Sequence, residues 1–441
     1  MKKKGIIIGI IIIIIAIGVG IIYYMPMNNV DYVKKNSREL NLNDIKDNKD
    51  LDLILDNIKD KTIVCTNENH GINENADIQY KFANYLMDNW DLKYFLMECG
   101  QASGTLLNEY LQTGDEKLLD DIFENGVFGA MSDESSKELA KKLYLKNKDL
   151  PEDRKLIIIG LDVRQQGDSI TYYFKHIKNK YNNIPKDQLE KINKVLECSE
   201  EEMINGERSS TFLKAIEDLE KDIKENEEIY IQSLNKEEVF NFECILNNLK
   251  NTSKLLPLID GGISNNKEFY EARDKMNYEN FKKIYDHFGG GKYYLHYGMD
   301  HIYQKEINNV KFLGANLKED SNFTDKIYSI NTLYKNGEAY NYDDLSPYSF
   351  YSITTDLEET LKKAGIENGN RIIVLDNKKS PYKKKILKEC FTFIDVYNDE
   401  ELFESNKGVT TDYFQAEIII ESPTPIKWYP EKAIKEYFSE H

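Results

Sequence analysis

Leu156-Ile157-Ile158-Ile159-Gly160-Leu161-Asp162 is an apolar run that stops abruptly at a carboxylate. It lacks the two-residue alternation of a half-solvated strand, so it reads as a strand covered on both faces, as in a parallel sheet between helices. Two earlier runs have the same form: Thr62 to Cys65, and Tyr94 to Met97, which ends at Glu98. Between them Ile78, Phe82, Tyr85 and Leu86 recur at helical spacing. This alternation implies βαβ crossovers and an α/β fold with a mostly parallel central sheet flanked by helices. From about Asp168 to Phe288 strand signals vanish. Phe212, Ile216, Leu219 and Ile223 share one helical face, as do Val239, Phe242, Leu246 and Leu249, which predicts a helical insertion with solvated charged faces. Strand signals return at Tyr293 to His296, Val310 to Leu313, Ile327 to Ile330, Arg371 to Leu375 and Ile418 to Ile420.

Ahead of the sheet, Lys2, Lys3 and Lys4 precede an apolar run from Gly5 to roughly Tyr24. About 20 apolar residues at 1.5 Å rise span the hydrocarbon core of a bilayer. The three lysines mark the cytoplasmic side, so a single-pass transmembrane helix is expected, with the C-terminal domain extracytoplasmic at the cell membrane. The run ends in Ile-Ile-Tyr-Tyr-Met-Pro-Met with no small-x-small cleavage site, which favours an uncleaved anchor over a signal peptide. The expected organisation is an anchor over 1–27, a polar linker over 28–50 and one domain over 51–441, with the insertion at about 168–288.

The formal net charge is −18. An acidic surface of this kind repels nucleic acid and anionic lipid. Cys65, Cys99, Cys198, Cys244 and Cys390 are too few and too scattered for a disulfide framework. The chain has no G-x-S-x-G elbow, P-loop, H-E-x-x-H or CxxC pair, and Gly289-Gly290-Gly291 precedes a strand, as a turn does. No cofactor is expected, and the partner implied is a small-molecule substrate.

Chemistry in open α/β sheets gathers at the carboxyl ends of the strands. Glu68, His70, Glu74, Glu98 and Asp162 all fall at or just past such ends, and His296 and His301 flank Gly298 at another. In Asn67-Glu68-Asn69-His70-Gly71 a carboxylate and an imidazole share a strand-to-helix turn. Either His70 is a general base tuned by carboxylates, or Glu68 and His70 cap the following helix. Glu98, after four apolar residues, needs a partner for its buried charge. Arg273 and Asp274, adjacent on a helix, read in isolation as a surface pair. Tyr294 to His301 contains two imidazoles and a carboxylate, but H-x₄-H at a strand end is not a specific zinc spacing.

Taken in order, Asn67 to Gly71, Glu74, Glu98, Gly160-Leu161-Asp162, Arg273-Asp274 with Met276 and Asn280, Gly298 to His301, Phe312 to Leu317 and Tyr413 to Pro425 resemble the erythromycin esterase family. The resemblance spans roughly Lys61 to Trp428. It implies a hydrolase that opens an ester or lactone. It assigns His70 as the base that activates water, and Glu68, Glu74, Glu98, Arg273 and His301 as its catalytic companions. Asn67, Asp162, Arg164, Asp274, His296 and Asp300 are the implied substrate-binding residues. Two positions depart from the family pattern. Asn67 stands where a glutamate precedes the histidine by three, and Gly298 stands where a histidine opens His-Asn-x-His. These departures motivate an alternative, a non-catalytic surface protein that binds through the same cleft. Related superfamily members with a shorter Glu-x-His motif handle other ligands, haem iron among them, so a metal or haem site from His70, His296, His301 and Glu98 is a third reading.

Overall fold

The computed structural model describes residues 25–43, 48–125, 127, 132–164, 167–205, 209–258, 267–307, 309–341, 346–385 and 408–429. The apolar N-terminal run expected as an anchor lies outside them. Among the described residues no helix is long and apolar enough to cross a membrane.

These residues form ten strands: β1 (Ser37–Glu39), β2 (Ile63–Glu68), β3 (Tyr94–Gly100), β4 (Ile157–Asp162), β5 (Tyr293–Gly298), β6 (Ile327–Lys335), β7 (Gly337–Asn341), β8 (Ser346–Phe350), β9 (Arg371–Val374) and β10 (Ala416–Glu421). Eight build one sheet in the order β1-β9-β10-β6-β2-β5-β3-β4. Every neighbouring pair from β10 to β4 is parallel. Only β9 runs against its neighbours, pairing antiparallel with β10 and with β1. The strands at the centre are apolar on both faces because side chains alternate between two cores. Val64, Phe95, Tyr294 and Ile330 pack into one, whereas Ile63, Cys65, Leu96 and Leu295 pack into the other. Helices cover both sides.

Between β4 and β5 the described residues are mostly helical, from Gly167–Lys180 to Lys267–Phe288. The last of these helices is tied to the end of β4: the Val163 N–H donates to Asn277 Oδ1 at 2.7 Å, and Asn280 Nδ2 donates to the Leu161 carbonyl at 3.2 Å. Its carboxyl end runs into Gly289, Gly290 and Gly291, all at positive φ, which turn the chain directly into β5.

Two expectations need correction, and one element is not anticipated from the sequence. Val310 to Leu313 is not a strand. Val310 makes an isolated bridge with Ile307, and Leu313 opens the helix Leu313–Glu319, whose first N–H is held by Asp274 at 2.7 Å. The stretch read as a linker carries the helix Asn29–Lys35 and then β1. Tyr32 and Val33 are fully buried there, and two apolar residues in a polar sequence suffice to dock one short helix. The hairpin β7–β8 has no counterpart among the strand signals, because its strands are half-exposed and carry no apolar run.

The helix Gln101–Thr113 lies on β4 backbone against backbone. A Cβ added at Gly104 would overlap the backbone of Gly160, and one at Gly160 would overlap the Gly100 carbonyl. Overpacking at so tight a contact costs about 3 kcal/mol. Gly160→Ala is therefore expected to lower the urea midpoint of the full-length protein by an amount corresponding to that loss. An unchanged midpoint would contradict this packing.

Candidate active site

The carboxyl ends of β2, β5, β3 and β4 lie side by side, so Glu68, Gly298, Glu98 and Asp162 meet at one edge of the sheet. Two linked clusters occupy this edge.

The first is built around Arg273, which is 5% exposed. Its Nε and Nη2 donate to the two oxygens of Asp162 at 3.1 and 2.6 Å. Nη2 also donates to Glu98 Oε1 at 2.6 Å, and Nη1 lies 3.0 Å from His301 Nε2. A guanidinium has only donors, so His301 Nε2 accepts here and its proton sits on Nδ1, 2.7 Å from Asp274 Oδ1. The second oxygen of Glu98 accepts the Gly298 N–H at 2.6 Å. Burial works against the charge of Arg273, but Asp162 and Glu98 outweigh it and hold its pKa well above the ordinary value. Burial would likewise raise Glu98, yet the charges of Arg273 and His70 keep its carboxyl ionised, far below the usual carboxylate range. For His301, burial is overcome by the charge and hydrogen bond of Asp274, which raise its basicity.

The second cluster is built around Glu68, which is 8% exposed. Glu68 Oε1 lies 2.8 Å from His70 Nδ1, and Oε2 lies 2.7 Å from His296 Nε2. An ionised carboxylate only accepts, so each ring turns an N–H toward it. Burial would raise the Glu68 pKa, but the hydrogen bonds and positive character of His296 and His70 lower it to about 2. Burial would lower His70; the Glu68 hydrogen bond and the Glu98 and Glu68 charges prevail over burial and Arg273, and bring it up to about 9. The His70 side chain is 50% exposed, and its Nε2 lies 4.0 Å from Glu98 Oε2. It borders a recess of about 30 Å³ lined also by Glu68, Asn75, Gln79, Asp133 and Ser136, room for a water molecule beside the imidazole.

The turn that carries His70 is clamped. Gly71 has φ +82°, its carbonyl accepts from Tyr340 and Ile426, and any Cβ there would collide with the Tyr340 backbone. Asn75 Nδ2 donates to the Asn69 carbonyl at 2.7 Å and its oxygen accepts from Tyr334 at 2.6 Å.

Of the residues singled out from sequence, this edge brings together Glu68, His70, Glu98, Asp162, Arg273, Asp274, His296 and His301. Asn67 is not among them. Strand alternation turns its side chain to the other face, where it bonds Asn331 Oδ1, the Met299 carbonyl and the Thr332 N–H, fully buried. Glu74 is also elsewhere: both its oxygens accept from Thr424, from the backbone N–H and the hydroxyl. The Arg164 side chain is exposed while its backbone N–H donates to Asp162 Oδ1 at 3.1 Å. Asp300 is half-buried in the turn Met299–Ile302, where its carbonyl accepts from Tyr303. Asp274 and His296 are buried inside the clusters, bonded to their neighbours. Arg273 and Asp274 are far from the surface pair their spacing suggests, because Arg273 faces two carboxylates that lie distant in sequence.

Thr66, Tyr294, Asn75 and the Gly298 N–H also belong to the site, and sequence reasoning does not find them. Thr66 and His296 are level in adjacent strands, a signal that becomes visible only once strand order is known. Among the described residues, no group of three or more His, Cys, Asp or Glu side chains is arranged to hold a metal ion. His296 and His301 use both ring nitrogens internally, whereas His70 is held through Nδ1 and its side chain is half exposed.

A sheet of this topology with ionised carboxylates and a half-exposed histidine at its parallel strand ends belongs to the α/β class whose chemistry sits at that edge. The family model for erythromycin esterase matches residues 91–415, and the chain belongs to that family, which supports a hydrolase-like function. The match begins beyond β2, so Glu68 and His70 precede it. A Bacillus cereus protein has a similar structure, with a TM-score of 0.64 at 16% identity over 91% of this chain and 99% of its own. A succinoglycan biosynthesis protein gives 0.61 at 18% identity, over 91% of this chain and 98% of its own. A histidine-to-asparagine mutant of erythromycin esterase EreC in its open conformation gives 0.61 at 14%, over 88% and 98%. At these identities the likeness is one of fold. No curated protein sequence matches the chain.

Removing Arg273 would strand the Glu98 and Asp162 carboxylates in a buried site, a change that costs about 3–5 kcal/mol. Arg273→Met is expected to lose that stability at neutral pH. In the variant burial acts on Glu98 without its guanidinium partner, and its folded-state pKa rises. The deficit should therefore shrink as pH falls and Glu98 becomes protonated. Denaturant titrations of wild type and variant over a range of pH check this, and a deficit that stays constant into acid would contradict it.

Proposed function

We propose that this protein is a hydrolase that cleaves an ester or lactone of a small molecule, with His70 as the general base. In the same reading, the N-terminal segment holds it at the outer face of the cell membrane. The observation that carries the catalytic part is the half-exposed His70 imidazole. Its Nδ1 is held by buried Glu68 at 2.8 Å, and the residue borders a recess that fits water. A neutral imidazole in this orientation has its lone pair on Nε2.

Water in the recess attacks the substrate carbonyl carbon while its proton passes to Nε2. Collapse of the tetrahedral intermediate breaks the carbon–oxygen bond to the leaving group, and His70 returns the proton to the departing alkoxide. Glu68 stays ionised throughout and stabilises the imidazolium, and Glu98 adds its charge from the Nε2 side. Arg273 serves by holding Glu98 and Asp162, since those carboxylates and His301 take up four of its five N–H donors.

A base acts in its neutral form, which for His70 is populated above a pKa of about 9. Below that pH, log kcat/KM is expected to rise by about one per pH unit and then level off. Glu68→Gln removes the hydrogen-bonding charge that raises His70, so the rise should move to lower pH with a lower plateau. His70→Ala is expected to reduce hydrolysis by about 10²–10⁴-fold. The measurement is a pH–rate series on ester and lactone substrates with the full-length chain. Hydrolysis unaffected by His70→Ala, or a rate that falls across this range, would contradict the assignment.

A further inference from the structure

His296 sits in β5, level with Thr66 of β2, and is 3% exposed. It does not line the recess beside His70. Its Nδ1 lies 2.7 Å from Thr66 Oγ1, which in turn lies 2.6 Å from the Tyr294 hydroxyl. Its Nε2 lies 2.7 Å from Glu68 Oε2. Thr66 and Tyr294 are fully buried, so at Nδ1 the ring is anchored to groups that have no water to exchange with.

We propose that His296 is a positioning residue for the hydrolysis. It clamps one oxygen of Glu68 so that the other meets His70 Nδ1, which leaves Nε2 as the basic nitrogen of the ring. The proposal rests on the reading of His70 as the base. A glutamate at a strand end has three rotatable bonds, and a single hydrogen bond to a half-exposed imidazole does not fix them. A second, buried donor on the far oxygen does, because it leaves the carboxylate one orientation in which both oxygens are satisfied. The other charged groups near His70 lack this leverage. Glu98 from β3 is held by Arg273 and the Gly298 N–H. Arg273, from the helix Lys267–Phe288, and His301, beyond β5, face Glu98. Asp133 is bonded within its own turn by Ser136. Among the described residues, only His296 hydrogen-bonds the far oxygen of Glu68.

The test is the neutral tautomer of His70, read by NMR from ring nitrogen and carbon shifts in histidine-labelled full-length protein above its titration. Wild type is expected to carry the proton on Nδ1. In His296→Asn the shorter amide falls short of Glu68, and the Nε2–H tautomer should appear. His296→Gln places an amide N–H where Nε2–H was and should restore the wild-type form. In parallel, kcat should fall by about ten- to a hundredfold in His296→Asn, with KM little changed and partial recovery in His296→Gln. Should His296→Asn fail to fold, Thr66→Val removes only the anchor behind the ring and should still raise the Nε2–H fraction. A folded His296→Asn or Thr66→Val protein whose His70 keeps the wild-type tautomer would overturn the proposal. A shifted tautomer in a protein whose hydrolysis ignores His70→Ala would support the clamp and overturn the role of His70 as base.

Discussion

A guanidinium buried beneath the strand ends must be neutralised, and the way Arg273 meets that demand organises the whole edge of the sheet. It binds Asp162 at the end of β4, Glu98 in the last turn of β3 and His301 just past β5. One side chain from the helix Lys267–Phe288 thereby joins three strands to the helical segment between β4 and β5. The arrangement extends outward through His301 to Asp274, and from Asp274 to the first N–H of the helix Leu313–Glu319. Buried ion clusters of this type contribute little net stability over an apolar core, but losing one partner is severe. Their consequence is geometric: Glu98 is held beside Gly298, with its second oxygen toward His70.

Glu68 and His70 stand next to this cluster and depend on it through charge. Two departures from the family pattern bear on them. In β2 the side chains alternate, so position 67 faces Asn331 and Thr332 on the far side of the sheet, while position 68 shares the face of Thr66 and points to His70. A glutamate at 68 therefore reaches the imidazole from within the strand. A Cβ at position 298 would lie 3.1 Å from Glu98 Oε2 and 3.4 Å from His70 Nε2, so a larger side chain would enter the space between them. Glycine leaves that space open and lets its N–H meet Glu98. His296 does not fill it, being bonded to Thr66 and Glu68.

Much of this is legible in the amino-acid sequence alone, and for a simple reason. Parallel strands buried on both faces appear as uninterrupted apolar runs, so Leu156 to Ile159 and Tyr94 to Met97 announce themselves, and the polar residues that end them mark the active edge. Glu98, His70 and Asp162 can be chosen on that ground. Strand order cannot be read, and with it goes the pairing of Thr66 with His296 and of Arg273 with Asp162 and Glu98, contacts separated by more than a hundred residues. Glu74 and Asn67 are misplaced by such a reading because sequence distance from a strand end does not say which face a side chain takes. The hairpin β7–β8 stays hidden for lack of an apolar pattern, yet it clamps Gly71.

The most direct test of where the chemistry happens is a crystal structure of the full-length protein with a phosphonate ester that mimics the tetrahedral intermediate. The expected result places a phosphonate oxygen within about 3 Å of His70 Nε2, with Glu68 still bridging His70 and His296. A phosphonate bound away from the strand ends, for instance among the helices between Gly167 and Leu255, with His70 untouched, would contradict it.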